Sequence, residues 1–189
     1  MKIFLLLVGF VCNWAPLAPA QEMEAPIPVQ YALLHKLLAF DRNLKTRVGE
    51  ELVIGILYQD NFRGSLIFKE ELAEVIQKAQ VDKLIDLPVR YVAVALVDQI
   101  DLAEQAARNR IDIFYVAPLR AVEMKRITTV SQALKILTFT GVPAYVEAGL
   151  SAGIGTKGES PRLLINVASA KAEGVEFSAL LLRLAKIVE

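Results

Sequence analysis

Few residues in this chain have the type and spacing to carry chemistry. Gly153, Gly155 and Gly158 in GLSAGIGTKGE spell GxGxxG. That pattern binds a dinucleotide when the glycines lie between a strand and a helix whose N-terminal amides face the pyrophosphate. Here Glu159-Ser160-Pro161 and a second apolar run, PRLLINV, follow in place of a helix. The stretch therefore reads as a glycine-rich hairpin turn. A Walker phosphate loop fails too, because Lys157 is followed by Gly158 and not by Ser or Thr. His35, the only histidine, stands beside Leu34 and Leu37 in a helical run, with Asp41 on a different face. A lone imidazole without carboxylate partners builds no metal site, so it reads as a partly exposed helix histidine. No serine sits in GxSxG. The adjacent pairs Glu50-Glu51 and Glu70-Glu71 would point about 100° apart on a helix and read as solvated surface. The expectation is a protein that is not an enzyme and that uses no metal and no cofactor.

The work of such a chain is then binding, and its compartment narrows the choice. Residues 1–20, MKIFLLLVGFVCNWAPLAPA, combine Lys2, an apolar run from Ile3 to about Val11, and Ala18-Pro19-Ala20. This is the pattern of a secretory signal cut after Ala20. The run is shorter than the ~20 residues that a spanning helix needs. Val11 and Phe10 before Cys12 do not fit a lipoprotein signal. Cys12 is the only cysteine, so the exported chain would have neither disulfides nor thiolate ligands. Residues 21–189 are expected to form one domain. The chain holds 21 basic and 21 acidic residues, and losing Lys2 leaves 20 against 21. That balance argues against nucleic acid or an anionic membrane as the main partner.

The elements follow from hydrophobic spacing. Pro28 to Arg47 predicts an amphipathic helix through Leu33, Leu34, Leu37 and Leu38. Glu51 to Gln59 predicts a strand, then a loop at Asp60-Asn61-Phe62-Arg63-Gly64 and a helix over Ile67 to Gln80. Arg90 to Asp98 reads as a strand, Asp101 to Arg110 as a helix with Asp101 as N-cap, and IDIFYVAP as a third strand. Leu119 to Lys135 is helical but carries TTVS, which weakens it and suggests a split. KILTFTG is a fourth strand, Val142 to Ala148 a short helix, and two strands flank the glycine turn. Asn166 at a strand end caps the next helix, Gly174 ends it, and a final docking helix sets Phe177, Leu180, Leu181, Leu184 and Val188 at helical spacing. The fold class is α/β, a three-layer sandwich with a mostly parallel sheet of five to six strands, a C-terminal antiparallel hairpin, and helices on both faces. A small ligand would sit at the carboxyl ends of the strands, which carry Asp60, Asn61, Arg63, Asp98, Arg120 and Thr140. Arg63 and Arg120 suit an anionic group there.

The closing order of strand, Ile165-Asn166, Ala168, Ala170, Gly174, Ser178 and Leu181-Leu182-Arg183-Leu184-Ala185-Lys186-Ile187-Val188 resembles the C-terminal signature of the YfiR/HmsC family. Leu137-Thr138 matches the start of that family's fourth strand, and Gly149 falls near a glycine pair kept here in part. The resemblance implies a periplasmic regulator that binds the outward-facing domain of an inner-membrane signalling protein, a diguanylate cyclase or a sensor kinase, and restrains it. Two departures stand out. The disulfide cysteines of the named member are missing, and Phe139-Thr140-Gly141 replaces the usual Ser-Asp. The contact surface is expected on the first helix or a sheet-edge loop, and homodimerisation stays open. The rival reading is a small solute-binding protein that serves a transporter or receptor.

Overall fold

The computed structural model describes residues 23–97, 100–158 and 160–189. The signal-peptide reading of residues 1–20 and the site residue Asp98 lie outside them. In chain order the elements are α1 (Ile27–Ala39), α2 (Leu44–Arg47), β1 (Leu52–Tyr58), α3 (Arg63–Ala79), β2 (Lys83–Leu84), β3 (Leu87–Ala95), α4 (Leu102–Asn109) and β4 (Ile113–Val116). Then come α5 (Met124–Leu134), β5 (Leu137–Thr140), α6 (Pro143–Glu147), β6 (Ala152–Lys157), β7 (Ser160–Asn166), α7 (Val167–Ala172), α8 (Ala179–Leu184) and β8 (Lys186–Val188).

One eight-stranded sheet, in the order β2-β3-β1-β4-β5-β6-β7-β8, replaces the five to six strands expected. The run from β3 to β6 is parallel, whereas β2 and β7 join it antiparallel and β8 lies parallel to β7. Strand alternation sends side chains to opposite faces. Leu52, Ile54, Ile113, Tyr115 and Phe139 pack with Leu34, Leu37 and Leu38 of α1, Phe68 and Leu72 of α3 and Leu181 of α8. Val53, Leu57, Phe114 and Val116 pack with Leu102 of α4, Ile127 of α5 and Tyr145 of α6. The three layers are therefore those expected.

The two added strands have local causes. β2 folds onto β3 through Ile85 and Asp86, both at positive φ (51° and 67°). A two-residue hairpin turn of this kind normally advertises itself with Asn-Gly, which is missing here. The final helix stops at Leu184 because Ala185 is extended (ψ 163°) and Lys186 to Val188 pair with Leu164 to Asn166. The unpaired edge of β7 outweighs the helical periodicity of the last residues. The docking helix is therefore short: Leu181 is buried, but Leu180 and Leu184 face outward and Val188 belongs to the strand.

Three helix boundaries also moved. α1 ends at Ala39 because the Asp41 carboxylate accepts from the backbone amides of Asn43 (3.0 Å) and Glu176 (3.2 Å), turning the chain into an isolated bridge between Asp41 and Phe177. The helix after the first loop starts at Arg63 and not at Ile67, with Phe62 accepting its first amide bonds. α5 begins at Met124 and runs unbroken through TTVS. There Thr128 Oγ1 and Ser131 Oγ donate to carbonyls in the preceding turn at 3.3 and 3.1 Å, so neither competes for the helix amides.

Two glycines of the GxGxxG stretch have a packing reason. A Cβ on Gly153 would lie 2.6 Å from Val146 Cγ2 of α6, and one on Gly155 would lie 3.2 Å from Leu164 Cδ1. Gly158 turns the hairpin at φ 62°.

Candidate functional site

From β1 the chain crosses by α3 on one face to β3, then returns by α4 on the other face to β4, beside β1 again. The loops leaving β1 and β4 thus diverge. In open α/β sheets this switch point forms a crevice where ligands bind. A cleft of about 350 Å³ lies there, lined by Gln59 and Asn61 after β1, Leu96 after β3, and Arg120, Glu123 and Arg126 after β4.

Its walls are fixed by paired polar groups. Gln59 donates from Nε2 to the Arg120 carbonyl (3.1 Å) and accepts the Arg120 amide on Oε1 (2.6 Å), tying the two loops together. The Gln59 amide donates to Ser65 Oγ at 2.9 Å. The Tyr145 hydroxyl accepts from the Leu119 amide (2.7 Å) and donates to the Leu119 carbonyl (3.0 Å). Arg126 Nη2 donates to the carbonyls of Val97 and Ile100, each at 2.9 Å. Only backbone atoms of Arg120 take part in these bonds, and the residue is exposed. Arg120, Glu123 and Asn61 line the cleft beside apolar Leu96 and Val122. Such a rim can hold a small molecule that carries a carboxylate or another anion.

Of the residues expected at a site, Asn61 and Arg120 meet in this cleft. Asp60 and Arg63 are exposed nearby but do not line it. Thr140 is fully buried, its hydroxyl donating to the Val116 carbonyl (3.0 Å) and accepting from the Val142 amide (3.1 Å), which is a structural task. Asn166 Oδ1 accepts from the Ser169 amide at 3.0 Å and caps α7, and Gly174 turns the chain at φ 79°. Sequence reasoning missed Gln59, Glu123 and Arg126. The polar end of the apolar run ELVIGILYQ was the one visible signal, for Gln59.

A second constellation went unseen. Glu173, fully buried at the end of α7, accepts from Ser131 Oγ (2.7 Å), the Thr138 amide (2.9 Å), Thr138 Oγ1 (2.9 Å) and Ser151 Oγ. Burial raises its pKa against the opposing effect of these four bonds. It joins α5, β5 and the start of β6 to the tail. At the far end of the sheet from the cleft, burial pushes the Asp112 carboxyl up to about 6, opposed by the bond it accepts from the Val53 amide (2.8 Å). His35 is half-buried against Tyr31, its Nε2 has no partner, and burial lowers its pKa. Among the described residues no group of three His, Cys, Asp or Glu is placed to hold a metal ion, and no helix is long and apolar enough to cross a membrane.

No curated protein sequence matches the chain. Among solved structures it is similar to an ABC domain from Streptococcus pneumonia in complex with L-Trp (TM-score 0.59, 19% identity, 87% of this chain and 62% of that one). It is also similar to a conserved domain protein from Vibrio cholerae (0.60, 15%, 87% and 60%). A third likeness is to a ligand-free, open substrate binding protein with adhesive properties from Clostridium difficile (0.53, 18%, 78% and 57%). The chain spans between 57% and 62% of the length of these structures, and the likeness is one of fold. Residues 29–186, which run from the first helix through the capped strand-helix tail, match the model of the YfiR/HmsC-like family, and the chain belongs to that family.

Proposed function

We propose that this protein is a periplasmic regulator that acts by contact on the outward-facing domain of an inner-membrane signalling protein, a diguanylate cyclase or a sensor kinase, and restrains it. Membership of the YfiR/HmsC-like family over residues 29–186 carries this reading. The signal-like residues 1–20 are consistent with it. On this reading the protein is not an enzyme and needs no cofactor. Deleting the gene should raise cellular cyclic-di-GMP and biofilm, or kinase output. A membrane-embedded cyclase or kinase should co-purify with the tagged protein. Unchanged signalling together with no captured membrane partner would remove the proposal.

The switch-point cleft favours a second reading, a small solute-binding protein, as does the fold shared with a substrate binding protein. A thermal-shift screen with amino acids, nucleotides and small anions tests it. A ligand at 100 times its Kd adds about 2.7 kcal/mol and raises the Tm by several degrees. An Arg120→Ala variant should lose that shift.

A further inference from the structure

We infer that the open edge of β8, together with the outward stripe of α8, is where the partner of the proposed regulatory contact docks. The edge takes an extended segment of that partner in which apolar side chains alternate with carboxylates. This rests on the contact reading above and adds its place and its chemistry.

The apolar face of α1, one of the two surfaces expected for contact, is buried through Leu34, Leu37 and Leu38. The tail differs. Leu180 and Leu184, four apart on α8 and so on one face, are 50% and 66% exposed, and Ile187 of β8 is 44% exposed. Among the described residues the other large exposed apolar ones, Ile67, Val97 and Leu134, stand apart on separate segments. Isolated exposed leucines are ordinary, whereas a contiguous stripe marks a contact. Among the described residues β8 is the last strand of the sheet and pairs on one side only, with β7. Its other side offers backbone groups to a further strand.

Register and charge select the occupant. Ile187 pairs with Ile165 and so points to the face that α8 covers, while Lys186 pairs with Leu164 and points to the opposite face. A strand laid on β8 would set every second side chain on the face of Ile187, which is also the α8 side, and the intervening ones on the face of Lys186. Arg183 and Lys186 are exposed and form no ion pair among the described residues. Carboxylates at the intervening positions would complement Lys186, around which Lys157 and Arg162 stand with Glu24 and Glu147. A second copy docking edge to edge would bring Lys186 of both copies to one seam. An anionic lipid surface calls for clusters of roughly four to eight cations, more than this edge presents.

The test uses a labelled seven-residue peptide that alternates valine with aspartate, titrated against the purified protein and followed by fluorescence anisotropy and amide hydrogen exchange. Saturable binding is expected, with new protection at Lys186 to Val188. Binding should weaken roughly tenfold in Leu184→Asp and in Lys186→Glu, and more for a valine–lysine peptide. Both substituted side chains are exposed, so an unchanged Tm certifies the fold. No saturable binding, equal binding by the variants, or protection elsewhere would overturn the inference. So would self-association or binding to anionic phospholipid vesicles that Leu184→Asp abolishes. A purified cyclase or kinase domain bound equally by wild type and variants would sink the surface but leave the contact reading standing. The peptide binding while that domain does not would sink the contact reading and the identity of the partner, leaving the edge only as a surface that takes an extended acidic segment.

Discussion

Replacing Glu173 tests whether one buried carboxylate holds the tail to the sheet. In Glu173→Ala the Thr138 amide, Thr138 Oγ1 and Ser151 Oγ lose the acceptor they use, while Ser131 Oγ keeps the Thr128 carbonyl at 3.1 Å. Each buried donor left unsatisfied costs about 1–3 kcal/mol, so three of them should cost the variant about 6 kcal/mol, a large share of the ~5–15 kcal/mol that holds a domain together. Glu173→Gln should cost less, about 2–3 kcal/mol, because Gln can keep its oxygen toward the Thr138 amide and Ser151 Oγ and turn its NH₂ toward Ser131, whose hydroxyl can then donate to Thr128 alone, which leaves only the Thr138 hydroxyl proton without its acceptor. The pH dependence has a definite sign. With the native pKa raised, the folded state holds the proton more tightly than the unfolded one. That contribution is complete below the unfolded value and is lost as pH rises through the folded value. The deficit of Glu173→Gln relative to wild type should therefore shrink as pH rises. Urea unfolding followed by circular dichroism at several pH values measures all three quantities. A loss under about 1 kcal/mol for Glu173→Ala, with the tail amides still protected from exchange, would refute the reasoning.

Three further substitutions probe other parts of the fold. Gly141→Ala would drive a methyl into the Gln30 side-chain amide, and displacing that buried amide breaks its bonds to the Ala25 carbonyl (2.7 Å) and the Tyr115 hydroxyl (3.0 Å). A loss of about 2–4 kcal/mol in urea unfolding is expected. Asp112→Asn should gain on wild type as pH rises from about 4 through the native value near 6, since the raised carboxyl contributes most below its unfolded value. Solvent screening of this half-buried group reduces the change to about 1 kcal/mol, and a gap that stays flat with pH would contradict it. Asn166→Ala removes the α7 cap and should cost about 1 kcal/mol, whereas Asn166→Ser should retain most of it.

Local chemistry was legible in the sequence, and partnerships across the chain were not. Asp101 and Asn166 announce their caps because donor and acceptor lie three residues apart, and both bonds are present at 2.9 and 3.0 Å. The alternation of apolar strands and helices foretold the layers, since burial on both faces leaves no polar positions in strands such as Ile113–Val116. β8 was hidden because Leu181 to Val188 keeps helical spacing, and only the free edge of β7 decides otherwise. The β2 turn was hidden because Ile85 adopts a positive φ that a β-branched residue rarely takes. Asn61 and Arg120 were reachable from the rule that ligands gather at strand ends. Glu173 was not, since its partners stand between 22 and 42 residues away in sequence.

The central claim is restraint of a membrane enzyme by direct contact. The measurement that reaches it most directly reconstitutes in nanodiscs the full-length cyclase or kinase that co-purifies with the tagged protein and follows cyclic-di-GMP synthesis or autophosphorylation as purified protein is added. The account predicts a saturable fall in rate that Leu184→Asp abolishes while its own fold stays intact. A rate unaffected by saturating protein would contradict it.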